Sequence, residues 1–143
     1  MASGLVIREV KINQQAVTSI IGGMGQRSVA NAANKTVERT RKNIRAQGRV
    51  YTGAMLRDTH AEFARDSQPL KPKAIVTLGG GFYGAYQEFG TRAHGPVRAP
   101  RMVFRIRGKG PLIFAKWVRG VTPGKFLQDA YAALTNADFI AGR

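Results

Sequence analysis

Apolar and polar residues change their spacing along the chain, and each spacing predicts an element. Residues 5–12 set Val6, Val10 and Ile12 on one side and Leu5 and Ile7 on the other, which predicts an opening β-strand with its second face partly covered. Residues 14–21 read as a helix start. Gly22-Gly23 and Gly25 are expected to interrupt it, because an interior glycine costs about 1 kcal/mol relative to alanine. From 28 to 47, Val29, Ala33, Val37, Thr40 and Ile44 follow helical spacing, with Ser28 as N-cap and Gly48 as C′ stop. This is the clearest helix in the sequence. Its other faces carry Lys35, Arg39, Lys42 and Arg45 as a solvated amphipathic surface, and Glu38 is placed to pair with Lys42 at i,i+4.

Beyond Gly53, residues 59–64 and 74–78 read as strands separated by the breakers Pro69 and Pro72, and are expected to pair as a hairpin. On the first strand Thr59, Ala61 and Phe63 share one face, His60 and Glu62 the other. Gly79-Gly80-Gly81 then releases the backbone before 82–89, a short helix carrying aromatics, and a loop with Gly95, Pro96 and Pro100 follows. Residues 101–107 and 112–118 flank Gly108-Lys109-Gly110-Pro111 as strand, turn and strand. Met102, Phe104 and Ile106 form a buried face of that hairpin, with Arg105 and Arg107 pointing away. Pro123 precedes a helix over 125–134, in which Phe126, Leu127, Ala130 and Leu134 share a face. The expected fold is α+β: one long amphipathic helix on a small, mostly antiparallel sheet, with a long β-hairpin and a C-terminal helix. It forms a single domain over 1–143 with a core of about 28–134, and the first few residues and 135–143 are loose ends.

Composition narrows the chemistry. At 143 residues the chain has room for one modest core, and without cysteine it has neither a disulfide framework nor a thiol nucleophile. No apolar stretch approaches the roughly 20 residues that span a bilayer, and no secretory signal is visible, so a soluble protein assembled inside the cell, with no membrane partner, is expected. Lys and Arg total 23 against 8 acidic residues, a net +15 that predicts attraction to nucleic acid, acidic proteins or anionic surfaces. The charge has two concentrations, one from Lys35 to Arg49 and one from Arg92 to Arg119.

Catalysis finds no constellation. His60 and His94 stand apart without a paired ligand spacing, the carboxylates are scattered, and Ser3, Ser19, Ser28 and Ser67 lack the glycine-flanked elbow of a hydrolase nucleophile. Neither 79–81 nor Gly22-Gly23-Met24-Gly25 ends in the Lys-Ser/Thr of a phosphate-cradling loop, so both are connectors. No catalytic group, metal or cofactor is expected, and the protein is read as a non-enzyme. Basic residues interleaved with Phe104, Phe114 and Trp117 have the outward form of a single-strand binding sheet, and Lys35, Arg39, Lys42 and Arg45 are candidate contacts to nucleic acid or an acidic partner.

Three short segments stand in order: Tyr51-Thr52-Gly53-Ala54-Met55-Leu56-Arg57-Asp58-Thr59, Tyr83-Gly84-Ala85-Tyr86-Gln87-Glu88-Phe89-Gly90-Thr91 and Thr122-Pro123-Gly124-Lys125-Phe126-Leu127-Gln128-Asp129-Ala130. With the basic helix before them, they resemble the neck or tail-completion family of long-tailed bacteriophages of the siphovirus type, which joins the DNA-filled head to the tail. Thr52, Gly53, Leu56 and Arg57 match the family's first motif with one extra residue before the leucine. Tyr83 or Tyr86 with Glu88, Phe89, Gly90 and Thr91 match the second. Phe126, Leu127 and Ala130 match the third, with Lys125 in place of the usual proline.

The resemblance, over about 28–134, implies a structural virion protein of the head–tail junction, assembled in the host cytoplasm. It implies a ring of six or a multiple of six copies around the DNA channel. The implied neighbours are head-completion or adaptor proteins and tail-terminator or tail-tube proteins. Tyr83, Tyr86, Glu88, Phe89, Thr91, Arg101, Arg105, Arg107, Trp117 and Phe126 are the candidate interface residues; Thr52, Gly53, Leu56, Arg57 and Gly90 are candidate turn and structural residues. Glu88, beside aromatics, suits either an arginine across a subunit boundary, with Arg57 one candidate, or a helix-cap contact within the chain. Six copies would carry 6 × 15 = +90. A strongly basic lumen would hold sliding DNA by its phosphates, so most arginines are expected to face acidic neighbours or the outer surface rather than genomic DNA. The alternatives are a tail terminator capping the tail tube and a small basic nucleic-acid-binding protein.

Overall fold

A computed structural model describes residues 13–50, 53–105 and 110–140. The expected strand over 5–12 lies outside the described residues. The first element is α1, Gln14–Ala46, an unbroken helix of 33 residues, about 50 Å long at 1.5 Å per residue. Its N-cap is Asn13, whose side-chain oxygen accepts the Ala16 N–H at 3.1 Å, and not Ser28, which lies inside the helix. The glycines do not interrupt it. Gly22 and Gly25 face the turn at Pro69 and Pro72, where a Cβ on Gly22 would come within 3.0 Å of Pro69. Their small size lets the turn approach the helix, and a capped helix of this length tolerates their low propensity. At the other end the helix stops as expected, with Gly48 at φ +65°.

The buried stripe of α1 includes Ala33, Val37, Thr40 and Ile44. Thr36 and Thr40 are buried because each hydroxyl donates to the carbonyl one turn back, Ala32 O at 2.9 Å and Thr36 O at 2.8 Å. Glu38 pairs with Lys35 at 3.0 Å rather than with Lys42.

Gly53, at φ +76°, opens the short helix α2, Ala54–Asp58, which leads through Thr59 into β1, His60–Phe63. β1 pairs antiparallel with β2, Ala74–Thr77, with Ala61 opposite Val76 and Glu62 opposite Ile75. Ala61 and Val76 are half-buried on the side shared with Thr59 and His60 and Glu62 are exposed, but Phe63, expected to share the face of Thr59 and Ala61, is exposed too at the end of the strand. α3, Gly81–Phe89, opens on two glycines at positive φ, its N-cap Gly80 and its first residue Gly81. α4, Phe126–Ala132, begins after Lys125, whose φ of +52° makes it the one described non-glycine residue in that region. Ile44, Met55 and Phe126 form the core where α1, α2 and α4 meet, with Leu56 and Leu78 packed against it.

The region of the expected long hairpin is a two-stranded arm. Thr91 and Val121 exchange bonds at its base, His94 and Val118 bridge above them, and β3, Met102–Phe104, pairs antiparallel with β4, Ile113–Ala115. Between these pairings, residues 95–101 stand opposite only 116 and 117, so the first strand bulges by five. The fold is therefore α+β with two separate two-stranded antiparallel sheets rather than one. The face expected to be buried is not closed: Met102 is half-buried and Phe104 exposed. Ile106 and Arg107 lie outside the described residues.

Residues 135–140 are not a loose end. Thr135 and Asp138 form a reciprocal cap on a 3-10 helix, Asn136–Phe139, and Arg39 grips Asp138 with two bonds of 2.9 and 3.0 Å while donating to Ala133 O at 3.1 Å.

Candidate assembly surface

Helix α3 presents two faces of opposite character. Gly84, Gln87 and Glu88 face inward. Gly84 sits so close to the chain before it that a Cβ would stand 2.2 Å from the Gly79 carbonyl oxygen, so a larger residue there would force the backbones apart. On the outer face Phe82, Tyr86 and Phe89, spaced i, i+4 and i+7, are 85, 56 and 77% exposed, with Tyr83 beside them at 44%. Isolated apolar side chains are ordinary on a surface; three aromatics in a stripe on a nine-residue helix are the composition of an interface core.

Glu88 takes the helix-cap role. Its two carboxylate oxygens accept the backbone N–H groups of Leu127 at 3.1 Å and Gln128 at 2.9 Å, the first turn of α4. A carboxylate at that end of a helix satisfies orphan donors and meets the positive end of the dipole. Arg57 is not its partner; that side chain is exposed, 3.3 Å from Asp58.

Arg49 is the residue that sequence reasoning missed. Its guanidinium donates to Thr122 O at 2.7 Å and Thr122 Oγ1 at 2.9 Å, makes longer bonds to Gln87 O and Oε1, and lies 5.7 Å from the Phe126 ring centroid. It ties the end of α1 to α3 and to the segment entering α4. Nearby, Gln47 donates to Gly124 O at 2.8 Å and Asn43 to Phe126 O at 3.1 Å. Phe126 is accordingly core, with no exposed surface, and not an interface residue. Gly124 packs against its ring, where a Cβ would be 2.3 Å away, and the left-handed Lys125 sets the turn into the helix.

The remaining candidates divide. Thr91 is half-buried at the root of the arm, so its role is to begin the ribbon, and Gly90 takes φ +73° just before it. Trp117 is 66% exposed and stacks beside Gly95; Arg101 and Arg105 are exposed. Leu56 belongs to the core margin, and Gly53 makes the turn expected of it. Thr52 lies outside the described residues. On α1, Lys42 and Arg45 are exposed, but Lys35 is engaged by Glu38 and Arg39 by Asp138. Arg41 donates to Thr59 O at 2.6 Å. Three of the five basic residues from Lys35 to Arg45 thus make bonds within the chain.

No family model, curated protein or solved structure matches this chain.

Among the described residues no group of three or more His, Cys, Asp or Glu side chains could hold a metal ion, and no helix is long and apolar enough to cross a membrane. His60 and His94 each lie against a carbonyl two residues earlier, at Asp58 and Arg92. The open groove lined by Arg49, Tyr83, Gln87, Arg119 and Thr122 holds no nucleophile with a base beside it. What the surface offers is contact area: an aromatic stripe and a basic arm.

Proposed function

We propose that the protein is a structural, non-enzymatic component of a phage head–tail connector, which completes the tail end and joins it to the DNA-filled head as one unit of a ring. The observation that carries this reading is α3, in which the one carboxylate is turned inward to cap α4 while Phe82, Tyr86 and Phe89 are left uncovered. Such a helix has its polar group satisfied inside and its apolar surface free for a neighbour. The order of the three motifs, the inward-facing Gly84 and the turn glycines Gly53 and Gly90 fit the same reading. In the ring, of six copies or a multiple of six, the α3 stripe meets an adjacent copy and the arm meets a neighbouring protein.

The test is electron microscopy of lysates from the parent phage with this reading frame stopped early. Filled heads beside separate tails of normal length are the expected result. Overlong tails would make the protein a tail terminator, and intact infectious virions would overturn the connector reading and bring forward nucleic-acid binding.

A further inference from the structure

The arm is unfinished as a piece of β-structure. A two-stranded ribbon is marginally stable in water unless a third strand or a helix covers it. β3 and β4 each have three residues, and the main packing they make is with each other. Among the described residues, the backbone groups of 102–104 and 113–115 make no hydrogen bond outside their mutual ladder, so both outer edges are free. One face carries Val103 opposite Phe114, both more than half exposed, with Arg101, Arg105, Leu112 and Lys116 around them. Exposed edges are ordinarily blunted or covered.

Charge selects what covers this one. From Phe89 to Gln128 the sequence has six arginines, three lysines and no carboxylate. A second copy binding arm to arm would oppose two such surfaces. The rest of the chain has little to offer it: among the described residues Glu38, Asp58, Asp66 and Asp138 are paired and Glu88 is buried, which leaves Glu62 and Asp129. Nucleic acid would answer the charge and find a stacking surface in Phe114, but it would leave the aliphatic Val103 and Leu112 and the open backbone edges unmatched. We infer that the arm docks an acidic protein partner in β-strand form, a segment in which every second residue, alternately Asp or Glu and apolar, faces the same side as Val103 and Phe114. Its backbone extends the β3–β4 ladder, its apolar side chains cover Val103 and Phe114, and its carboxylates meet Arg101, Arg105 and Lys116. The inference rests on the structural role proposed above, because it names the partner class that role requires.

The test titrates the full chain with a peptide of about twelve residues repeating Glu-Thr-Val-Thr, which sets glutamate and valine on one face and is long enough for one strand. The comparison probes are the same peptide with serine for valine and a single-stranded oligonucleotide of equal charge. At physiological salt the glutamate–valine peptide is expected to bind at least about tenfold tighter than either, a difference large enough to separate shape from charge. It should also slow amide exchange along one outer edge of β3 or β4. Phe114→Ser, or Arg101→Gln with Lys116→Gln, should each weaken it about tenfold while helical circular dichroism is unchanged; the second variant keeps the apolar cover if the first loosens the arm. Equal binding of the two peptides, tighter binding of the oligonucleotide, or no saturable binding would overturn the inference. Because this test uses purified protein, a failed titration beside separate heads and tails removes only the docking mode. A successful one beside intact virions removes only the connector reading.

Discussion

Glu88 and Arg49 show how single side chains hold this protein. Glu88 supplies two charge-assisted bonds to the start of α4, so Glu88→Ala should lose about 2 kcal/mol of stability and Glu88→Gln about half of that, read from urea midpoints. Arg49→Lys should fare little better than Arg49→Ala, since a single ammonium cannot reproduce the forked contacts with both oxygens of Thr122. Asp138 is the acid-sensitive member. The bonds from the Arg39 guanidinium, then the backbone N–H of Thr135, hold its carboxyl below the ordinary 3.8. A depressed carboxylate stabilises the folded state above its unfolded pKa, and the contribution is lost as pH falls through the folded value. Wild type should therefore lose stability below about pH 4 more steeply than Asp138→Asn, which starts less stable at neutral pH; paired urea titrations across that range check the sign.

At the scale of elements, the long helix was legible where its buried stripe repeats and was misread where glycines stand. Propensity gave no hint that Gly22 faces a proline turn from another part of the chain, because that contact is tertiary. Two substitutions separate the effects. Gly23→Ala, with nothing within 4 Å of its new methyl group, should gain up to about 1 kcal/mol from helix propensity; Gly22→Ala should gain much less or lose stability, because its methyl group meets Pro69. The hairpin β1–β2, helix α3 and the buried face of α4 were all readable from period and breakers. A helix-cap role for Glu88 was one of two readings the sequence left open, but which helix it caps was not readable, since Glu88 and Gln128 are 40 positions apart and nothing local marks the pairing. The same distance hid the inward turn of Arg39, whose partner is 99 positions away. A basic residue on a helix reads as solvated until the carboxylate that meets it is known.

For the whole molecule, net charge and apolar surface act against each other. At +15 per chain, copies repel at low ionic strength, and the repulsion weakens as salt shortens the screening length. If α3 carries contact between copies, self-association measured by sedimentation should strengthen between about 0.05 and 0.5 M salt, where the Debye length falls from about 14 to about 4 Å. Phe89→Glu should abolish it without lowering stability, because that side chain is 77% exposed. DNA binding would show the opposite salt trend. The composition announced a basic protein with a modest core, but it did not show that the charge divides between internal bonds on α1 and an open display on the arm.

The contact between α1 and α4 also has a consequence for how the chain is made. Asn43 reaches the Phe126 carbonyl across 83 positions, so the stripe that ends in Ile44, which Met55, Leu56 and Leu78 can cover earlier, is not fully covered until α4 has been synthesised. At typical rates of elongation, roughly 4 to 17 s separate the two events on the ribosome. During that interval the part of the helix that α4 will cover stays open to solvent or to a chaperone, and the core can close only after α4 has left the ribosome.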